Sequence, residues 1–147
     1  MTDWESMWSR NGGLKPNTAF DIGGITPTLQ KLADEGVIVA GKSYVPGCGR
    51  GWDVTFIAGL SPDHSCLGFD IAPTAVDAAE ARRDADTQVP AERAGFTTQD
   101  WFDASQPSGG GYVFGYDYTF LCASLRARGR LLHTALQSTR SPMKVTS

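Results

Sequence analysis

Three glycines at alternate positions, in Tyr44-Val45-Pro46-Gly47-Cys48-Gly49-Arg50-Gly51, close a β-rich run over residues 37–45. The part of that run nearest Val45 reads as a buried strand. Glycines placed after such a strand let the backbone turn tightly and approach a ligand closely. The turn leads into a short helical stretch over residues 53–59, whose N-terminus supplies positive potential and unpaired amides. A strand, a glycine turn and a helix in this order are the start of a βαβ unit. The pattern then repeats: strands are predicted at residues 67–71, 95–99 and 112–121, with an alanine-rich helix over 73–85 that has Pro73 in its first turn. Strands alternating with helices indicate an α/β fold with a parallel sheet.

Two helices precede the glycine turn. Residues 3–10 form the first, with Asp3 as its N-cap and Trp4, Met7 and Trp8 on one face. Residues 28–35 form the second, with Leu29, Leu32 and Ala33 as its apolar face and Gly36 closing it. Residues 14–27 and 105–111 read as loops.

The glycine spacing narrows the chemistry. A dinucleotide fingerprint G-x-G-x-x-G would need its third glycine at position 52, which is Trp52; the glycine comes one residue earlier, at Gly51. The G-x-G-x-G form is similar to motif I of S-adenosylmethionine-dependent methyltransferases. Asp70 ends the second predicted strand, 21 residues after Gly49. A carboxylate at that distance can accept both hydroxyls of a ribose. The competing reading is a structural turn beside a surface aspartate.

The run from Val45 to Val54 and the run from Gly68 to Val76, with Asp100-Trp101-Phe102 and the stretch Asp117 to Ala123, resemble the thiol methyltransferase branch of the thiopurine S-methyltransferase superfamily. The resemblance implies a Rossmann-like class I methyltransferase fold with about four parallel strands in the order 3-2-1-4, flanked by helices. It implies S-adenosyl-L-methionine as cofactor and a small thiol, hydrosulfide or halide as the nucleophile that takes its methyl group. Trp4 and Trp8 match a tryptophan pair that folds over the cofactor, and the competing reading for both is helix-face packing. Phe20 stands where the family usually has a third tryptophan. Gly47 would admit the methionine moiety, Gly49 would be cofactor-binding in the same turn, Asp70 would hold the ribose, and Asp100 and Trp101 would border the adenine. Tyr118 would face the transferable methyl and position the nucleophile, as the one residue given a catalytic role. Cys48 reads as a small buried filler, and His64 and His133 as surface residues without partners.

Residues 1–123 are expected to form the cofactor-binding domain, and 124–147 a divergent basic tail in which no later strand of the family is legible. The chain is thus expected to hold a C-terminally truncated version of the fold. Charge divides near the same place: residues 1–117 hold all 16 acids, whereas 118–147 hold five bases and no acid. Those bases, Arg126, Arg128, Arg130, Arg140 and Lys144, lack interleaved aromatics, so no nucleic-acid partner is expected. Three widely spaced cysteines give no disulfide framework or zinc site, and no apolar run of membrane-spanning length or leader is present. The expected setting is cytoplasmic, without metal or membrane. An alternative function is a catalytically inactive module that keeps the nucleoside crevice.

Overall fold

The computed structural model describes residues 3–10, 13–15, 18, 21–103, 110–120 and 145–146. Its helices are α1 (Trp4–Ser9), α2 (Pro27–Asp34), α3 (Trp52–Ala58) and α4 (Pro73–Asp86). Its strands are β1 (Gly41–Pro46), β2 (His64–Asp70), β3 (Ala94–Thr98), β4 (Tyr112–Tyr116) and β5 (Val145–Thr146). Every pairing is parallel, in the order β3-β2-β1-β4-β5. The expected order 3-2-1-4 is therefore present, and β5 adds a two-residue strand beside β4. That strand lies in the segment where no later strand was legible, because two residues carry no periodicity to read.

β1 is the central strand, and the chain leaves it on one side through α3 to β2 and returns on the other at β4. This reversal opens a crevice at the carboxyl ends of the strands, between β1 and β4. Residues Ser43 to Pro46 are buried as a continuous run, as a strand covered on both faces requires. Val54, Ile57 and Ala58 of α3 pack with Val45, Cys66, Ala94, Phe114 and Tyr116 in the main core. Complete burial of side chains such as Val54 and Ile57 contributes about 1.5–3 kcal/mol each.

Helix ends follow their local chemistry. Asp3 caps α1, its carboxylate accepting from the Ser6 N–H at 3.0 Å. Thr26 caps α2, its Oγ1 accepting from the Leu29 N–H at 3.1 Å, with Pro27 in the first turn. The same hydroxyl lies 2.6 Å from the Tyr116 hydroxyl, tying α2 to the end of β4.

Two expectations are corrected here. The fourth strand stops at Tyr116 rather than reaching residue 121, and Thr119 adopts φ 69°, a left-handed conformation that a β-branched residue rarely takes. His64 is buried at the start of β2 rather than exposed, with Nδ1 2.7 Å from Ser61 Oγ and Nε2 3.2 Å from the Ile38 carbonyl oxygen. Its partners are a turn hydroxyl and a main-chain carbonyl, not the acids or second imidazole that a sequence search looks for. His133, Cys122 and the basic residues 126–144 lie outside the described residues.

Candidate active site

The glycine turn is shaped by what surrounds it. Gly47, Gly49 and Gly51 all have positive φ. A Cβ at Gly47 would collide with the Phe120 ring, and one at Gly51 would lie 2.5 Å from Phe96. Both positions therefore exclude a side chain on space as well as on backbone conformation. Arg82 of α4 holds the outside of the turn: its Nε donates to the Arg50 carbonyl at 2.9 Å, and Nη2 to the Gly51 carbonyl at 2.9 Å. Its guanidinium also lies 4.2 Å over the Trp52 ring.

Asp70, the last residue of β2, closes the turn from the neighbouring strand. Its Oδ2 accepts from the Gly49 N–H at 3.0 Å and its Oδ1 from the Ala72 N–H at 3.0 Å. Burial raises the Asp70 carboxyl above its ordinary value, and the N–H groups of Ala72, Gly49 and Ile71 pull it back down. These main-chain contacts use only part of the roughly four acceptor sites of the carboxylate, which leaves it able to accept from a ligand hydroxyl.

A cavity of about 490 Å³ opens over this turn, a size suited to a nucleoside-bearing ligand. Trp4, Trp8, Gly47, Gly49, Asp70, Asp100, Trp101 and Tyr118 all line it. The structure thus brings eight of the nine expected site residues to one place; the ninth, Phe20, lies outside the described residues. Trp8 is buried and packs with Ala72 and Ala75, while Trp4 lies against the same cluster. The helix-face packing and the cavity lining are therefore both true of this pair. Trp101 stacks on Tyr44 with centroids 4.9 Å apart, which fixes its ring at the cavity edge. Tyr118 is half exposed at the cavity mouth, beside the left-handed Thr119.

Four charged lining residues, Glu5, Asp21, Arg50 and Asp53, were not singled out from the sequence. The Asp21 side chain is almost fully enclosed; it receives Arg50 Nε at 2.5 Å, Trp52 Nε1 at 3.0 Å and the Gly23 N–H at 2.9 Å. Asp53, in the first turn of α3, has its carboxyl pushed up to about 7 by burial, with Arg82 only partly offsetting the shift. The Arg50–Asp21 pair spans 29 residues, and nothing local in the sequence signals it. Asp53 could have been found, as an acid in the first turn of a helix that starts at the glycine turn.

Cys48 packs against the main core as a small filler does, but it is half-buried rather than enclosed and also lines the cavity. Desolvation, with the Asp70 charge nearby, pushes its thiol well above the ordinary value. Among the described residues no cluster of His, Cys, Asp or Glu could hold a metal ion, and no helix is long and apolar enough to cross a membrane.

Comparison with known proteins places the chain in a family. The family model for thiopurine S-methyltransferase (TPMT) matches residues 1–135. The chain belongs to the thiopurine S-methyltransferase family. It is 34% identical over 120 residues to "Probable thiol methyltransferase 2" of Arabidopsis thaliana, covering 82% of this chain and 48% of that one. It is 32% identical over 120 residues to "Thiocyanate methyltransferase 1" of the same plant, with the same coverage. The chain thus spans about half the length of the curated relatives it matches. A solved structure from work on the conversion of a disulfide bond into a thioacetal group during echinomycin biosynthesis superposes with TM-score 0.63 and 29% identity. That match covers 84% of this chain and 49% of the other. A SAM-dependent methyltransferase from Thiobacillus denitrificans, in complex with S-adenosyl-L-homocysteine, superposes with TM-score 0.58 at 22% identity over 82% of this chain and 48% of that one, and shares the fold.

The family's cofactor is S-adenosyl-L-methionine, and the residues present fit it. Gly47 and Gly49 present main chain to the cavity, the strand-end carboxylate of Asp70 lines it beside them, and the indoles of Trp4 and Trp8 supply aromatic faces suited to a sulfonium cation.

Proposed function

We propose that this chain binds S-adenosyl-L-methionine in the cavity over the glycine turn and transfers its methyl group to a small thiol, hydrosulfide or halide. The observation that carries the reading is Asp70, held at the end of β2 by the Gly49 N–H and facing a cavity that Trp4, Trp8 and Trp101 also line. Bound there, the cofactor would supply an electrophilic methyl on a sulfonium.

The residues of the chain have positioning roles. Asp70 accepts the ribose hydroxyls, and Gly47 and Gly49 let the methionine portion lie against the main chain. Asp100 and Trp101 border the adenine. Trp4 and Trp8 face the sulfonium with their rings and exclude water. Tyr118, at the mouth, orients the incoming nucleophile by its hydroxyl. A thiolate is strongly nucleophilic once formed, so alignment in a dry site accounts for most of the rate. The thiol proton leaves to solvent or to a base as the thiolate forms. With the cofactor held by Asp70, Gly47, Gly49, Asp100 and Trp101, its sulfonium would serve as methyl donor and leaving group, and Tyr118 would align the thiolate or halide opposite that sulfur.

The test is transfer of isotopically labelled methyl to hydrosulfide, a small thiol, thiocyanate and iodide, each at millimolar concentration. Turnover with at least one supports the reading. Cofactor binding without turnover on any of them refutes the transfer step and leaves the inactive binding module.

A further inference from the structure

Charge on the cavity wall is unevenly sorted. Among the described lining residues, Asp3, Glu5, Asp21, Asp53, Asp70 and Asp100 are acidic, and Arg50 alone is basic. Arg50 is also held rigidly. Its Nε donates to Asp21 Oδ2 at 2.5 Å, its Nη2 donates to the Leu14 carbonyl, and the guanidinium lies 5.3 Å from the centre of a Trp8 ring. A guanidinium has five N–H groups, and no described residue accepts from Nη1.

The neighbours of Arg50 set a direction. A Cβ at Gly49 would lie 3.4 Å from Trp8 Cζ2, so Trp8, the Gly49 main chain and the Arg50 side chain make one continuous wall. The Gly49 N–H is at the same time bonded to Asp70. A ligand with its ribose on Asp70 that runs along Gly49 reaches Arg50 next.

S-adenosyl-L-methionine carries positive charge on its sulfur and its amino group, and one negative charge, on the α-carboxylate. The acids not already paired or protonated suit the cations, and among the described side chains of the wall the anion has one complementary place, Arg50. We propose that Arg50 receives the α-carboxylate of the cofactor, while Asp21 and the Leu14 carbonyl aim the guanidinium for it. This inference rests on the cofactor reading above. It makes Arg50 a determinant of which sulfonium the site accepts, because a nucleoside sulfonium lacking the carboxylate loses this contact.

Equilibrium titration of the full chain with S-adenosyl-L-methionine and with its decarboxylated analogue tests the assignment. The unaltered chain is expected to prefer the carboxylate-bearing ligand by about tenfold or more, the scale of hydrogen bonds to a charged group. Arg50→Gln is expected to abolish that preference by weakening the carboxylate-bearing ligand alone, and Arg50→Lys to restore part of it. Arg50→Gln weakening both ligands equally, or neither, overturns the proposal; the former makes Arg50 only a clasp for the N-terminal segment. So does an altered KM for hydrosulfide with the preference unchanged, which gives the guanidinium to the acceptor. If Arg50→Gln does not fold, the unaltered chain decides alone, and equal affinity for the two ligands is refuting. Failure of both ligands to bind the unaltered chain defeats the cofactor reading itself, whereas equal binding of both defeats only the role of Arg50.

Discussion

Asp53→Asn isolates the cost of burying a carboxylate in the first turn of α3. Burial lifts the folded-state value from 3.8 to about 7, with Arg82 too weak an offset. The folded chain therefore holds a proton at Asp53 that the unfolded chain has already released over the range from pH 3.8 to about 7. Because the folded state binds more protons there, stability falls as pH rises across that range and levels off above it. The complete loss has a ceiling of about 4 kcal/mol, and the part between pH 5 and pH 8 is about 2–3 kcal/mol. Asparagine has no charge to desolvate, so the variant lacks this contribution. Urea unfolding of both proteins at pH 5 and pH 8, followed by circular dichroism, measures it; groups common to both cancel in the comparison. The variant is expected to gain at least about 1 kcal/mol on the parent between pH 5 and pH 8. A difference that stays constant with pH, or moves in favour of the parent as pH rises, refutes the reasoning.

Two other substitutions probe the packing behind the turn. In Gly68→Ala the new methyl would lie 2.8 Å from Cys48 Sγ and 2.8 Å from Phe96 Cδ1, so a loss of about 1–3 kcal/mol is expected in the same unfolding assay. Unchanged stability would mean that the turn is looser than described. Tyr116→Phe removes the hydroxyl 2.6 Å from Thr26 Oγ1 but not the Leu29 cap, so a loss of about 1 kcal/mol with helix content retained is expected. A melting temperature equal to the parent's would show that this bond contributes nothing.

Much of this architecture is legible in the sequence because it is local. The glycine turn, Pro73 in the first turn of α4 and Asp3 as a cap act on their own neighbours, and each stands where its pattern places it. Asp70 was also legible, since strand, crossover and strand have nearly fixed lengths in a βαβ unit. Features made by distant partners were not. Asp21 meets Arg50 only because the N-terminal segment crosses the turn, and His64 is satisfied by the carbonyl of Ile38, which any residue could supply. After β4 the chain turns, with Asp117 Oδ1 accepting from the Phe120 N–H at 2.8 Å and Thr119 left-handed, although residues 117–120 have the aromatic, β-prone composition of a strand. The roles given to the lining residues rest on the family pattern. Their meeting in one cavity is geometry.

The most direct test is isothermal titration of the full chain with S-adenosyl-L-methionine, beside the Asp70→Asn variant. Asparagine keeps one acceptor oxygen for the main chain but removes the charge that would meet the ribose. The account predicts saturable one-to-one binding, weakened in the variant by about 1–3 kcal/mol, which is roughly 5-fold to 160-fold. No binding to the unaltered chain at millimolar cofactor, or equal affinity in the two proteins, would contradict it.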